Sequence, residues 1–171
     1  IIVKDNNGEC FKIDNNDIIL NIIYKNKCKV VYRNGGKTYV ECGKTDLHRE
    51  ILGITDSKYS EWFVDHINGD GTDNRLENLV ITNHYGNMCN QKGKGYSKTN
   101  SGGFRVQFMK DYPDDRIYNG GVKRPIFKNE QEAIEEVARR RKYILKNRLY
   151  FKNKEELDKY IANDSRNQSK T

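Results

Sequence analysis

The stretch VDHINGDGTDNRLENLVITNHYGNMCNQ, residues 64–91, constrains the fold more than any other part of the chain. It contains two of the three histidines, five asparagines between Asn68 and Asn87, and an Asp placed directly before His66. Val64-Asp65-His66 reads as the end of a strand, and Asn68-Gly69 opens a long polar loop. LVIT (79–82) returns as a second strand, and Thr82 or Asn83 caps a helix running through HYGNMCNQ. Backbone preference alone accounts for Asn68, Asp70 and Asn74, since Asn, Asp and Gly populate turns. It does not account for Asp65-His66 combined with Asn78 and Asn87.

A hairpin followed directly by a helix brings Asp65 near residues one turn into that helix, so Asp65 and Asn87 are candidates to share one ion. Carboxylate and amide oxygens are hard donors, which favours Mg²⁺, with Mn²⁺ as a substitute, over zinc. One carboxylate leaves most of a double positive charge uncompensated. A phosphodiester substrate supplies the missing negative charge, and neutral amides do not repel it. His66 faces the other side of the strand from Asp65. Its ordinary pKa near ~6.5 leaves a neutral ring to take a proton from water. Asn78 is placed to fix the loop around that ring. His84, three residues before Asn87, is the rival for the last ligand position. His48 reads as a structural or phosphate-contacting residue of a short helix.

Charge points to the same class of partner. The formal net charge is +7 over 171 residues, and residues 92–152 carry 16 Lys and Arg against 7 Asp and Glu. The remainder carries 15 against 17, so the excess belongs to one region, as a nucleic-acid-binding surface requires. The partner expected is double-stranded DNA, with no membrane and no small-molecule cofactor. The longest apolar run, IILNII at 18–23, is too short to cross a bilayer. Four cysteines without metal-knuckle spacing read as free, reduced thiols of a cytoplasmic protein.

KVVYRNGGKTYVEC (29–42) predicts a hairpin around Asn34-Gly35-Gly36. Asp46 precedes LHREILG, a short helix with Leu47, Ile51 and Ile54 on one face, capped by Asp46 and ended by Gly53. KGKGYSKTNSGG (92–103) reads as a linker or a DNA-contacting loop, with Lys92 and Lys94 as candidate contacts. FRVQFMKD (104–111) alternates as a strand, and a second hairpin is expected around Asn119-Gly120-Gly121 with Pro125 at an edge. NEQEAIEEVARRRKYILKNRLY predicts a helix capped by Asn129, with Ile134, Val137, Ala138, Arg141, Leu145 and Leu149 as its packed face. Arg139, Arg140, Arg141 and Lys142 fan around that helix, some solvated or paired with Glu135 and Glu136. KEELDKYIA gives one more short helix before a polar tail.

Residues 47–91 resemble the HNH, or ββα-metal, endonucleases, in particular the phage and intron-encoded homing type. Asp65 corresponds to the first metal ligand, His66 to the general base, Asn78 in ENL to the middle Asn, and Asn87 in YGNMCN to the last position. LHREILG and DNRLENL are similar to the flanking pattern. The resemblance implies cleavage that leaves 5′-phosphate and 3′-hydroxyl ends. Residues 104–152 are similar to the plant ethylene-response DNA-binding domain, whose sheet enters the major groove. By that likeness Arg105, Gln107, Lys123 and Arg124 become DNA contacts. Arg75 is either a phosphate clamp or a loop ion pair, and Asn90 either touches DNA or is an ordinary exposed amide.

The expected architecture is therefore α+β: a β-rich support at 1–46, a ββα nuclease core at 47–91, and a linker or loop at 92–103. A sheet-plus-helix DNA-binding module at 104–152 and a short helix with a polar tail at 153–171 complete it. The expected function is a metal-dependent DNA endonuclease, acting as monomer or homodimer in the host cell of a phage or mobile element. A restriction-like nuclease and a DNA-binding regulator with a vestigial nuclease centre are the alternatives.

Overall fold

The computed structural model describes residues 1–33, 35–89, 93–107 and 126–164. Two compact units are present: residues 1–84 with the segment from 149 onward, and residues 85–148.

The first unit begins with the antiparallel pair β1 (Ile2–Lys4) and β2 (Cys10–Lys12), in which Val3 faces Phe11. The helix α1 (Asp17–Asn26) follows, built largely from the IILNII run that the sequence reading weighed only against a membrane span. The Asn16 side chain caps it, accepting from the Ile18 amide at 2.9 Å. The expected hairpin is formed by β3 (Lys29–Arg33) and β4 (Lys37–Cys42), with Val30 opposite Val40. Gly35 and Gly36 turn it at φ +83° and +74°, which only glycine adopts without strain; Asn34 lies outside the described residues.

That register carries Cys28 and Cys42 to facing ends of the hairpin, and they form a disulfide with Cα atoms 4.1 Å apart. The expectation of free thiols throughout is corrected for this pair, whose proximity depends on strand register rather than sequence spacing. Cys10 and Cys89 are free. β5 (Thr45–Asp46) pairs with the end of β4 and leads into α2 (Leu47–Ile51). Asp46 stands at the cap position but makes no capping bond; Arg33 binds its carboxylate instead, Nη1 to Oδ2 at 3.1 Å. Phe11, Ile13, Ile19, Val40 and Leu47 are almost wholly buried and join these elements in one core.

β6 (Phe63–His66) and β7 (Leu79–Thr82) pair antiparallel, His66 opposite Leu79 and Asp65 opposite Val80. After Asn83 comes α3 (His84–Cys89), so the chain order strand, strand, helix is the expected one. From Tyr85 the chain belongs to the second unit.

In that unit β8 (Tyr96–Lys98), β9 (Phe104–Val106) and β10 (Ile126–Phe127) form an antiparallel sheet with β9 in the middle. β8 falls in the stretch read as linker or contacting loop. A tight turn makes it a strand, the Thr99 amide donating to the Gly103 carbonyl at 2.8 Å. The expected hairpin at 119–121 and the edge position of Pro125 lie outside the described residues.

α4 (Glu130–Asn147) is the predicted helix, and Asn129 caps it by accepting from the Glu132 amide at 2.9 Å. Its packed face differs from expectation. Ala133, Glu136, Val137, Arg140 and Ile144 are buried, whereas Ile134, Ala138, Arg141 and Leu145 are exposed. The reason is an ion pair inside the packed face. Arg140 Nε donates to Glu136 Oε1 at 2.7 Å and Arg140 Nη1 to the Gln107 carbonyl at 3.0 Å. Arg139 Nε adds a bond to Glu136 Oε2 at 2.8 Å, and the Arg140–Glu136 pair is the i,i+4 pairing expected for part of the arginine cluster. A face chosen by apolar periodicity alone is thus rotated away from the true one.

The chain then returns to the first unit. β11 (Tyr150–Phe151) pairs with β7, placing Tyr150 opposite Thr82 and Phe151 opposite Ile81. Thr82 Oγ1 donates to the Leu149 carbonyl at 2.7 Å and Asn83 Oδ1 accepts from the Leu149 amide at 3.1 Å. α5 (Lys154–Asn163), the expected terminal helix, buries Leu157 completely against a core that includes Ile54, Tyr59 and Ile81. Residues 149–152 therefore complete the sheet of the first unit instead of closing the basic module. Among the described residues no helix is long and apolar enough to cross a membrane.

Candidate active site

The loop between β6 and β7, residues 67–78, is held by its own amides. Asn78, at the loop's end, accepts on Oδ1 from the Asn68 amide at 3.0 Å. It donates from Nδ2 to Asn68 Oδ1 at 3.0 Å and to the Asp73 carbonyl at 2.7 Å. Asn78 is buried, so these bonds satisfy polar atoms that would otherwise be stranded. Asn68 Nδ2 reaches Asp73 Oδ2 at 3.2 Å. Arg75 grips Asp73 with two bonds, Nε to Oδ1 at 2.8 Å and Nη2 to Oδ2 at 2.7 Å, and also meets Glu77 at 2.7 Å. That fork holds the Asp73 carboxyl down to about 2. Arg75 thus adopts the loop-pair arrangement, one of its two sequence readings.

The N-terminal strands mould the outside of this loop. The Lys12 amide donates to the Thr72 carbonyl and the Asn74 amide to the Lys12 carbonyl, both at 2.8 Å. The Leu76 amide donates to Asp14 Oδ2 at 2.7 Å. Gly71 presses onto β4 so closely that a Cβ there would stand 1.9 Å from the Thr38 carbonyl oxygen. Gly71 is a glycine because of this approach, whereas Gly69, at φ +76°, serves the turn itself.

His66 ends β6 and turns inward, 4% exposed. Its Nε2 lies 3.2 Å from Asn74 Oδ1. Asn74 Nδ2 faces the Gly71 carbonyl at 3.4 Å, so the amide oxygen is the atom directed at the ring. Nε2 therefore carries the proton and Nδ1 is left as the acceptor. Burial pushes the His66 pKa down, with the Asn74 bond opposing it, so the ring is neutral at pH 7. The sequence reading gave Asn74 to turn geometry. Nothing in its type or spacing separates it from the neighbouring turn asparagines, and only the three-dimensional closure of the loop reveals its partner. A ring expected to take a proton from water thus lies in the interior.

His48 of α2 packs beside His66. The rings are 5.0 Å apart between centroids and meet edge to face at 76°, and Tyr39 of β4 lies 5.9 Å from the first and 6.2 Å from the second. His48 Nε2 stands 3.8 Å from Asp46 Oδ2, too far for a hydrogen bond. Among the described residues its buried Nδ1 has no partner. Burial first, then the neighbouring His66, pushes the His48 pKa down to about 3 against the opposing charge of Asp46. An unsatisfied buried nitrogen costs roughly 1–3 kcal/mol, a cost that a hydrocarbon ring would not carry.

Asp65 sits on the opposite side of β6 from His66 and is partly exposed. Asn87 lies on α3, partly exposed, in the second unit. His84 is exposed, its ring 6.3 Å from Phe63. Among the described residues no three His, Cys, Asp or Glu side chains converge as a metal cage. In the second unit Lys94, Arg105 and Gln107 are exposed. Asn90, Lys92, Lys123 and Arg124 lie outside the described residues.

A buried histidine held by an asparagine-laced loop between two strands is followed along the chain by a helix. Residues 58–89, which span β6, this loop, β7 and α3, match the HNH endonuclease family model. The match supports a nuclease. No curated protein and no solved structure matches the chain.

Proposed function

We propose that the chain is a metal-dependent DNA endonuclease of the phage or homing kind. The observation that carries this reading is the His66–Asn74 bond within the segment that matches the HNH endonucleases. With Nε2 committed to Asn74, His66 offers Nδ1 to take a proton from water. The water oxygen then bonds to phosphorus, the bond to the 3′ oxygen breaks, that oxygen takes a proton from solvent water, and the ends are 5′-phosphate and 3′-hydroxyl. Asp65 and Asn87 are the residues that would hold Mg²⁺ or Mn²⁺, which when bound supplies charge stabilisation at the departing oxygen. Asn78 keeps the loop in register around the base.

The second unit is the proposed DNA reader. Ser97, Arg105 and Ile126 line up across its three strands and all are exposed, while Val106 packs against α4. Arg105 of β9 and Gln107, the residue just past that strand, are exposed and offer base-edge and phosphate contacts, joined by Lys94, Lys92, Asn90, Lys123 and Arg124. A restriction-like nuclease would use the same residues and differ only in where it cuts.

The 4% exposure of His66 favours one second reading, a DNA-binding regulator whose nuclease centre is dormant. Incubating the full chain with Mg²⁺ or Mn²⁺ and phage-derived and intron-site duplexes separates the two. Cutting that His66→Ala abolishes while binding persists supports the endonuclease. Tight binding with no cut at any divalent concentration supports the regulator. Cleavage of RNA but not DNA would replace the substrate assigned here.

A further inference from the structure

Three features bear on His48 and none is required by the reaction outlined above. Its ring contacts the ring of His66 directly, at 5.0 Å and 76°. It is buried, with Nδ1 unpartnered among the described residues. Its other nitrogen faces a carboxylate that Arg33 holds in place, while the Arg33 guanidinium also stacks over Tyr39 at 4.9 Å. Three groups thus surround the two imidazoles: Tyr39 against both, Asp46 beside one, Asn74 bonded to the other.

A core position serving only packing would select Phe or Leu, since a hydrocarbon fills the space without stranding a nitrogen. An imidazole buried here with a stranded nitrogen points to a role beyond packing. We propose that His48 is a positioning residue for His66, with Asp46 setting the orientation of the His48 ring and that ring setting the plane of the base. Asp46 Oδ2, 3.8 Å from Nε2, is a negative charge that favours the tautomer carrying its proton on Nε2. The ring so oriented meets His66 edge to face, which restrains rotation of the second ring about its Cβ–Cγ bond. Asn74 then selects which His66 nitrogen is protonated, so plane and tautomer are set from two sides. This inference rests on the nuclease reading for its kinetic consequence, though not for its structural one.

The test uses the full chain and two variants. His48→Phe keeps a ring but loses the attraction to Asp46. It should lower kcat at least ~10-fold with KM within ~2-fold of the parent, and its melting temperature at neutral pH should not fall. His48→Gln keeps a donor near the position of Nε2 for Asp46 but has no ring to meet His66, so its kcat should also stay at least ~10-fold below the parent. Nitrogen NMR of the imidazoles provides a readout independent of cutting. A His66 ring no longer held in plane swings off Asn74 part of the time, so His66 should show a single tautomer protonated on Nε2 in the parent and a mixture in His48→Phe. His48→Phe cutting at the parental rate with unchanged His66 signals overturns the proposal. So does a loss of rate matched by a loss of folded protein with those signals unchanged. If the parent cuts nothing, or His66→Ala cuts as well as the parent, the nuclease reading fails, and the tautomer of His66 alone decides for or against His48.

Discussion

Gly71 lies against the backbone of Thr38, so close that a methyl group on it would overlap the Thr38 carbonyl oxygen at 1.9 Å. The loop carrying Asn74 is therefore seated on β4, and the separation between strand and loop is set by the absence of a side chain. Gly71→Ala should destabilise the protein by about 1–3 kcal/mol, because the obstacle is backbone and cannot rotate away. It should also disturb the His66–Asn74 bond. Gly93→Ala is the control, since a Cβ there meets nothing within 4 Å. Thermal melts of the two variants measure the difference, and equal melting temperatures would sink the seating argument.

Asn74→Leu keeps roughly the volume of the side chain and removes the acceptor for His66 Nε2. The ring then loses the bond that fixes its tautomer and opposes the fall in its pKa. DNA cleavage should drop on the order of 10²-fold while duplex binding stays near parental, as measured by single-turnover cutting and by gel shift. Asn74→Leu that cuts normally would remove Asn74 from the active centre.

The buried pair on α4 predicts an asymmetry between variants. Glu136→Ala leaves Arg140 buried without its carboxylate and should cost about 3–5 kcal/mol in denaturant melts. Replacing both residues with well-packed apolar side chains should cost far less, or nothing. If the double replacement is as damaging as the single one, the pair has a role beyond mutual compensation.

Stability should fall with acid through His48. Its folded pKa, about 3, lies below the unfolded value near ~6.5, so the unfolded chain binds the extra proton. The contribution is fully present above ~6.5 and is lost as pH falls toward the folded value, on the order of 1 kcal/mol per pH unit within that window. His48→Phe should flatten the slope of melting temperature between pH ~7 and ~5. An unchanged slope would show that His48 is already protonated, or solvated, in the native state.

Local chemistry made the strand–loop–strand frame around His66 legible in advance. LVIT, the Asx-rich loop and the ring of His66 all announce themselves through residue type, and so do the Asn129 cap and the hairpin at Gly35-Gly36. What stayed hidden depends on tertiary closure. Asn74 and Asn68 look alike in sequence, yet one bonds the imidazole and the other ties the loop. His48 sits eighteen residues before His66, and no periodicity links α2 to β6. The packed face of α4 differs because apolar periodicity passes over Glu136 and Arg140, which are buried by satisfying each other. Cys28 and Cys42 become neighbours only through hairpin register.

The route of the chain has a temporal consequence. β11 arrives after the whole second unit has been made, and until it arrives the outer edge of β7 has no strand to pair with. A nascent chain halted at Arg148 has every residue of the proposed base, loop and reader, yet lacks β11 and the helix that buries Leu157. The sheet bearing Asp65 and His66 is thus completed only by a strand that is made after the whole second unit.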